Sequence, residues 1–307
     1  MAGAAEREPA AVRPRVIYVM GAGRSGSSTL GITLGNCDGV FYAGELDNWL
    51  VRSGRPQLED AERVGFWQRV HDALADTQAA AALFGTESQR SIERSASVLR
   101  VHKFRTRRRL RARYRAVAED LYRALARTTG VTHLVDTSHY PLRARELQAI
   151  DGIDLYLVFL VRDPQGVVAS FNRHDVGEFT KSTAHSNAYL WLTHLLSVLM
   201  FLRHPRGRRL YVRYERFIAD PEGVLGEILA LAGAPPAPLP DFASLRIGYP
   251  LQGNRVTRSE GTMTLKASTD AVARSSLLTA ILQAPVMAVL SRLRPAAGAP
   301  GGPGATR

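Results

Sequence analysis

Nine residues from Gly21 to Thr29, GAGRSGSST, follow the short apolar run RVIYVM and precede a helical pattern. Backbone N–H groups of a glycine turn and of a helix N-terminus make a cradle for an anion. Arg24 adds a charge-assisted bond, and Ser25, Ser27, Ser28 and Thr29 add hydroxyls. A plain strand-to-helix turn with serine caps is the simpler alternative, but it needs fewer donors than stand here. Two known patterns overlap on these residues. Gly21, Gly23 and Gly26 fit the dinucleotide form G-x-G-x-x-G, and Glu45 and Asp47 lie about 20 positions on, where a ribose-binding acid belongs. Gly21, Gly26 and Ser28 also fit G-x-x-x-x-G-K-[ST]. Ser27 replaces the lysine that reaches the β- and γ-phosphates of a triphosphate, which argues against NTP hydrolysis. Asp136, closing THLVD, could imitate the acid of a second NTPase strand.

A second cluster is DLYLVFLVRDPQGVVASF, residues 154–171. Pro164 suits the first turn of a helix, Asp163 can cap it, and Ser170 follows about two turns after Arg162. A guanidinium at a strand end and a hydroxyl on the adjoining helix can grip a separate phosphate. Neither overlapping pattern of the first loop predicts that pair. Two further residues could move a proton: Glu45 in YAGELDNW, and His139 in VDTSHYPLRARELQ, whose imidazole titrates near neutrality. A helix-starting Glu and a polar surface His are the alternatives.

These residues need a scaffold that brings strand ends together. Apolar runs predict strands at 15–20, 39–44, 132–136, 154–161 and 209–214. Helical patterns separate them near 26–35, 60–80, 88–128, 141–150, 182–203 and 221–232. Continuous apolar strands between helices predict a three-layer α/β/α domain around a mostly parallel sheet. In such sheets ligands sit beyond the carboxyl ends of the strands, where every residue named above falls.

With these motifs in place, the chain resembles the sulfotransferases that use 3′-phosphoadenosine 5′-phosphosulfate (PAPS). Arg24-Ser25-Gly26-Ser27-Ser28 is similar to their [KR]-[SA]-G-[ST]-[ST] loop, and Arg162-Asp163-Pro164 with Ser170 to their R-D-P-x-x-x-x-x-S motif. RYERFIADP, residues 213–221, resembles a largely structural segment of the family. Gly253-Asn254-Arg255 resembles a late loop of bacterial members. Asp136 and Ser138 match a bacterial V-D-S-S-K-x-P-x-R segment, but His139 replaces its lysine. The resemblance spans about residues 15–260 and implies a P-loop NTPase-like fold. It implies that Arg24, Ser25, Gly26, Ser27, Ser28 and Thr29 hold the 5′-phosphosulfate. It further implies that Arg162 and Ser170 hold the 3′-phosphate, with Gly253, Asn254 and Arg255 near the cofactor. Glu45 is the first candidate for the base that takes the acceptor's proton, and His139 the second. The implied reaction moves sulfuryl from PAPS to a hydroxyl, and secondarily an amine, of a small molecule, lipid or glycan. It calls for no metal, and no Cys/His cluster with ligand spacing is visible. A nucleotide or small-molecule kinase of related fold, and a non-catalytic nucleotide-binding protein docked on membranes, stand as alternatives.

The whole chain sets wider bounds. Its 307 residues carry 40 Lys+Arg against 28 Asp+Glu, a formal charge of +12 that favours anionic partners. The single cysteine, Cys37, excludes an internal disulfide and fits a reducing compartment, the cytoplasm. No stretch has a secretory pattern or the length of a membrane span. The basic run RVHKFRTRRRLRARYR, residues 100–115, is either a solvated helix face or a dock for an acidic acceptor or membrane. It has no nucleic-acid motif. Residues 275–294 read as an amphipathic or core helix with a second chance of membrane contact. Trp49 and Trp191 are core residues or acceptor-stacking platforms. Residues 1–13 read as a flexible leader, 14–293 as the domain with a helical acceptor-pocket insertion at about 55–130, and 294–307 as a disordered tail. Oligomeric state is not legible.

Overall fold

A computed structural model describes residues 13–85, 89–171, 183–258, 261–266 and 277–293. The expected leader, apart from residue 13, and the expected tail 294–307 lie outside the described residues. All five expected strands are present: β1 (Arg15–Gly21), β2 (Val40–Gly44), β3 (His133–His139), β4 (Asp154–Val161) and β5 (Arg209–Arg213). They form one parallel sheet in the order β2-β3-β1-β4-β5. Short β6 (Leu245–Arg246) and β7 (Thr262–Met263) pair separately.

In chain order the helices are α1 (Ser27–Gly35), α2 (Asn48–Val51), α3 (Ala61–Asp72), α4 (Thr77–Ala81), α5 (Phe104–Thr129) and α6 (Pro141–Leu147). They continue with α7 (Pro164–Phe171), α8 (Thr183–Arg203), α9 (Tyr214–Ala219), α10 (Pro221–Ala232) and α11 (Leu277–Ser291). Side chains alternate across a strand, so β1 feeds two cores. Val16, Tyr18 and Met20 pack with α3, α5, α6 and α8. Ile17 and Val19 pack with α1, α9 and α10. Burial on both faces is why these strands carry unbroken apolar runs.

Two helical patterns break where the sequence reads as continuous. The 60–80 pattern divides into α3 and α4 because Asp120 accepts the N–H groups of Ala75 (2.8 Å) and Asp76 (3.1 Å), and Asp76 then caps α4. The 88–128 pattern starts as a π turn (Gln89–Glu93) and two 3₁₀ turns (Ser95–Leu99, Val101–Lys103) before α5. Arg107 of α5 reaches back to the carbonyls of Ser97 and Arg100 and holds these turns.

The basic run is only partly a solvated face. Arg107 is buried, and Arg111 (3.2 Å) and Arg115 (2.7 Å) turn inward to the fully buried Glu146, which Arg145 also meets at 2.8 Å. Beside this lies a second buried hub. Arg143 of α6 donates to Glu93 (2.7 Å) and to Asp136 of β3 (3.0 Å), Tyr122 of α5 donates to Asp136 (2.6 Å), and Tyr114 donates to Glu93. One guanidinium thus ties β3, α5, α6 and the turns at 89–99. Removing one partner of a buried pair leaves an uncompensated charge. Arg143→Met should therefore lower unfolding free energy in urea by about 3–5 kcal/mol. A loss under about 1 kcal/mol would mean that apolar packing, not this hub, holds the segment.

Candidate active site

The loop after β1 has the form an anion site requires. Its backbone is left-handed at Arg24 (φ 69°) and at Gly26 (φ 92°), which sits at the N-cap of α1. Tyr214 packs so closely on Gly26 that a methyl there would collide with ring carbons Cδ2 and Cε2. No side chain caps α1, so its first-turn N–H groups keep the partner-seeking ends that every helix has. Ser25 Oγ is buried with no hydrogen-bond partner among the described residues. Ser28 Oγ accepts from the Asn254 N–H at 3.4 Å. Bare N–H groups and an orphaned hydroxyl in one turn suit a phosphate or sulfate oxygen.

The functional candidates fall at the carboxyl ends of successive strands. Glu45 follows β2, His139 ends β3, the loop follows β1, Arg162 follows β4 and Tyr214 follows β5. Strands lie about 4.8 Å apart, so His139 is one strand from the loop and Glu45 two. His139 has φ 56°, and its ring lies tilted by 38° against that of Tyr140 with centroids 4.3 Å apart. Its Nε2 lies 3.6 Å from the point a Cβ on Gly23 would occupy, so the imidazole borders the loop. Glu45 is fixed through its N–H, which donates to Gln252 O at 2.8 Å, and Asn48 Nδ2 lies 3.5 Å from its carboxylate. Burial, then the charges of Glu93 and Glu45, push the neighbouring Asp47 carboxyl well above its ordinary range. Its acid form is therefore favoured beside Glu45.

Arg162 stacks over Tyr214 at 4.8 Å and donates through Nη1 to Arg24 O at 3.4 Å. The Asp163 N–H donates to Glu215 at 2.7 Å, and Asp163 accepts from Gln165 N at 3.3 Å, the expected start of α7. Arg213-Tyr214-Glu215 is accordingly structural: it fixes both the first loop and the Arg162 turn. Ser170 lies on the second turn of α7 and is half-buried, with no hydrogen bond to Arg162. Asn254 reaches α1 through its N–H on Ser28, Gly253 lies against Thr257, and the short turn that packs on α1 begins at the exposed Arg255.

Sequence reasoning missed two tyrosines here. Tyr189 of α8 accepts the Gly23 N–H at 3.0 Å, and the Tyr140 carbonyl accepts from Tyr18 at 2.9 Å. Tyr189 sits in a helix whose pattern carries no motif, so nothing local marked it. Trp49 is buried core against Phe84, and Trp191 lies on the outer face of α8. If the Gly26–Tyr214 contact shapes the loop, Gly26→Ala should cost about 1–3 kcal/mol in thermal unfolding. Gly26→Ala/Tyr214→Leu should recover part of it, and no recovery would refute the steric cause.

The sequence profile of the Sulfotransferase family matches residues 14–238. The fold is similar to the sulfotransferase domain from the curacin biosynthetic pathway (TM-score 0.53, 16% identity, 89% of this chain and 98% of that one). It is similar also to the sulfotransferase domain from the Synechococcus PCC 7002 olefin synthase (TM-score 0.53, 20% identity, 93% and 97%). No curated protein matches the sequence. With its P-loop-like α/β sheet and the match over most of its length, the chain belongs to the sulfotransferase family.

Proposed function

We propose that this protein transfers a sulfuryl group from PAPS to a hydroxyl, or secondarily an amine, of a small-molecule, lipid or glycan acceptor. The observation that carries the reading is the uncapped α1 N-terminus with the orphaned Ser25 hydroxyl, next to a second arginine, Arg162, just past the end of the adjoining strand β4. In this reading the loop from Arg24 to Thr29 takes the 5′-phosphosulfate and Arg162 with Ser170 takes the 3′-phosphate. Gly253, Asn254 and Arg255 close the cofactor side. A donor with no β- or γ-phosphate gives no use to the lysine that Ser27 replaces.

Sulfuryl transfer asks for in-line placement and for stabilisation of the departing phosphate. Arg24 and the N–H groups of Gly26, Ser27 and Ser28 supply the second. The acceptor enters from the β2–β3 side, between Glu45 and His139. Glu45 takes the acceptor's proton as the acceptor oxygen attacks sulfur and the bond from sulfur to the departing phosphate breaks. His139 orients the acceptor at the loop's edge.

Glu45→Gln should abolish sulfate transfer while leaving affinity for PAP (3′,5′-adenosine diphosphate) unchanged in calorimetry. Weakened PAP binding would overturn its role as base, and full loss in His139→Asn with an active Glu45→Gln would transfer that role to His139. Arg162→Ala should weaken PAP binding about 10- to 150-fold and barely change binding of AMP. An equal loss for both nucleotides would refute the 3′-phosphate contact.

A further inference from the structure

One surface departs from the rest of the molecule. Helix α8 carries no Asp, Glu, Lys or Arg before Arg203. Its inward face buries Leu190, Thr193, His194 and Ser197. Its outward stripe is Trp191, Leu195 (60% exposed), Leu199 and Leu202, spaced four, four and three residues apart. That spacing makes one continuous row along the helix. On one flank α11 packs beside it, with Trp191 Nε1 donating to Leu282 O at 2.8 Å. Helix α11 also lacks charged residues and exposes Leu278, Ile281 (63%) and Val289. From the inward side of α8, Thr193 donates to Ser95 at 3.3 Å, and the turn Ser95–Leu99 adjoins the helix. This turn, the one after it and the start of α5 expose Leu99 (73%), Val101 (75%) and Phe104.

Single exposed apolar residues need no explanation, but a run of them over three adjoining elements marks an interaction surface. The charges at its edge select the partner. Arg100, Arg105, Arg108 and Arg109 are exposed around Val101 and Phe104, and Arg203 is exposed where α8 ends. Leucines set among arginines match the headgroup boundary of an anionic lipid layer, where apolar side chains enter and guanidinium groups meet phosphates. A second copy of this chain would instead bring like-charged rims together on a molecule of formal charge +12. No described helix is long and apolar enough to cross a bilayer, so the contact is interfacial.

We infer that the face built from α8, α11 and residues 99–109 docks this protein on an anionic membrane surface. The same helix reaches the phosphate loop through Tyr189, so docking holds the site close to the lipid and presents it to acceptors carried there. The inference stands on the surface alone and does not depend on the donor or on the base.

The full chain should co-sediment with vesicles of phosphatidylcholine and phosphatidylglycerol, sediment little with phosphatidylcholine alone, and lose binding as salt rises. Arg105→Gln/Arg108→Gln/Arg109→Gln should weaken binding about 100-fold, about fivefold per residue. Leu195→Glu/Leu199→Glu should weaken it at least about tenfold, with an unchanged circular dichroism spectrum showing that both variants fold. Equal binding to neutral vesicles, no binding to anionic ones, or indifference to the glutamates would overturn the proposal. So would a dimer in light scattering that Leu195→Glu/Leu199→Glu dissociates, since a second copy would then be the occupant.

Discussion

The contact of the Tyr214 ring with Gly26 is the constraint on which the site rests. It removes the space for any side chain at that position and holds the loop in its left-handed turn. The same ring carries the guanidinium of Arg162, which reaches the carbonyl of Arg24. Glu215, the next residue, accepts the N–H of Asp163. Three strand ends, β1, β4 and β5, are thereby set relative to one another before any ligand arrives. Preorganisation of this kind matters most for a reaction whose catalysis is placement and charge stabilisation rather than covalent chemistry.

The β2–β3 side is held by different means. Asp136 in the middle of β3 accepts from Ser138, Tyr122 and Arg143, and Ser138 in turn accepts the N–H of Asp47 at 2.9 Å. A chain of buried polar groups therefore runs from the Arg143 hub to the turn that carries Glu45. The hub also anchors Glu93, and with it the irregular turns that lead to α5. Such networks rigidify only when nearly every member is satisfied. The arginines at 111 and 115, which read in the sequence as surface charge, are spent on Glu146 for the same structural end.

The sheet was legible because its strands are buried on both faces and their apolar runs have no competing period. The loop after β1 and the Arg162 turn were legible because glycine, proline and arginine carry fixed local meaning there. The turns at 89–103 were not, because their shape comes from Arg107 and Arg143, whose partners lie 7 to 50 residues away. Nor was Tyr189, whose role comes from a partner 166 residues distant. Arg111 and Arg115 looked solvated for the same reason: one basic run cannot tell which of its members a distant buried Glu146 will claim. Membership of the sulfotransferase family settles the type of fold, while the roles of individual residues rest on the geometry of the strand ends.

The central claim is that two separate phosphate positions meet at this sheet edge. Thermal unfolding with PAP, compared with AMP, ADP, ATP with Mg²⁺, and NAD, tests it most directly. A ligand at about 100 times its Kd adds about 2.7 kcal/mol to the folded state. The account predicts a clear stabilisation by PAP and little by nucleotides that carry only a 5′-phosphate. Stabilisation by ATP with Mg²⁺ or by NAD but not by PAP, or equal shifts with PAP and AMP, would contradict it.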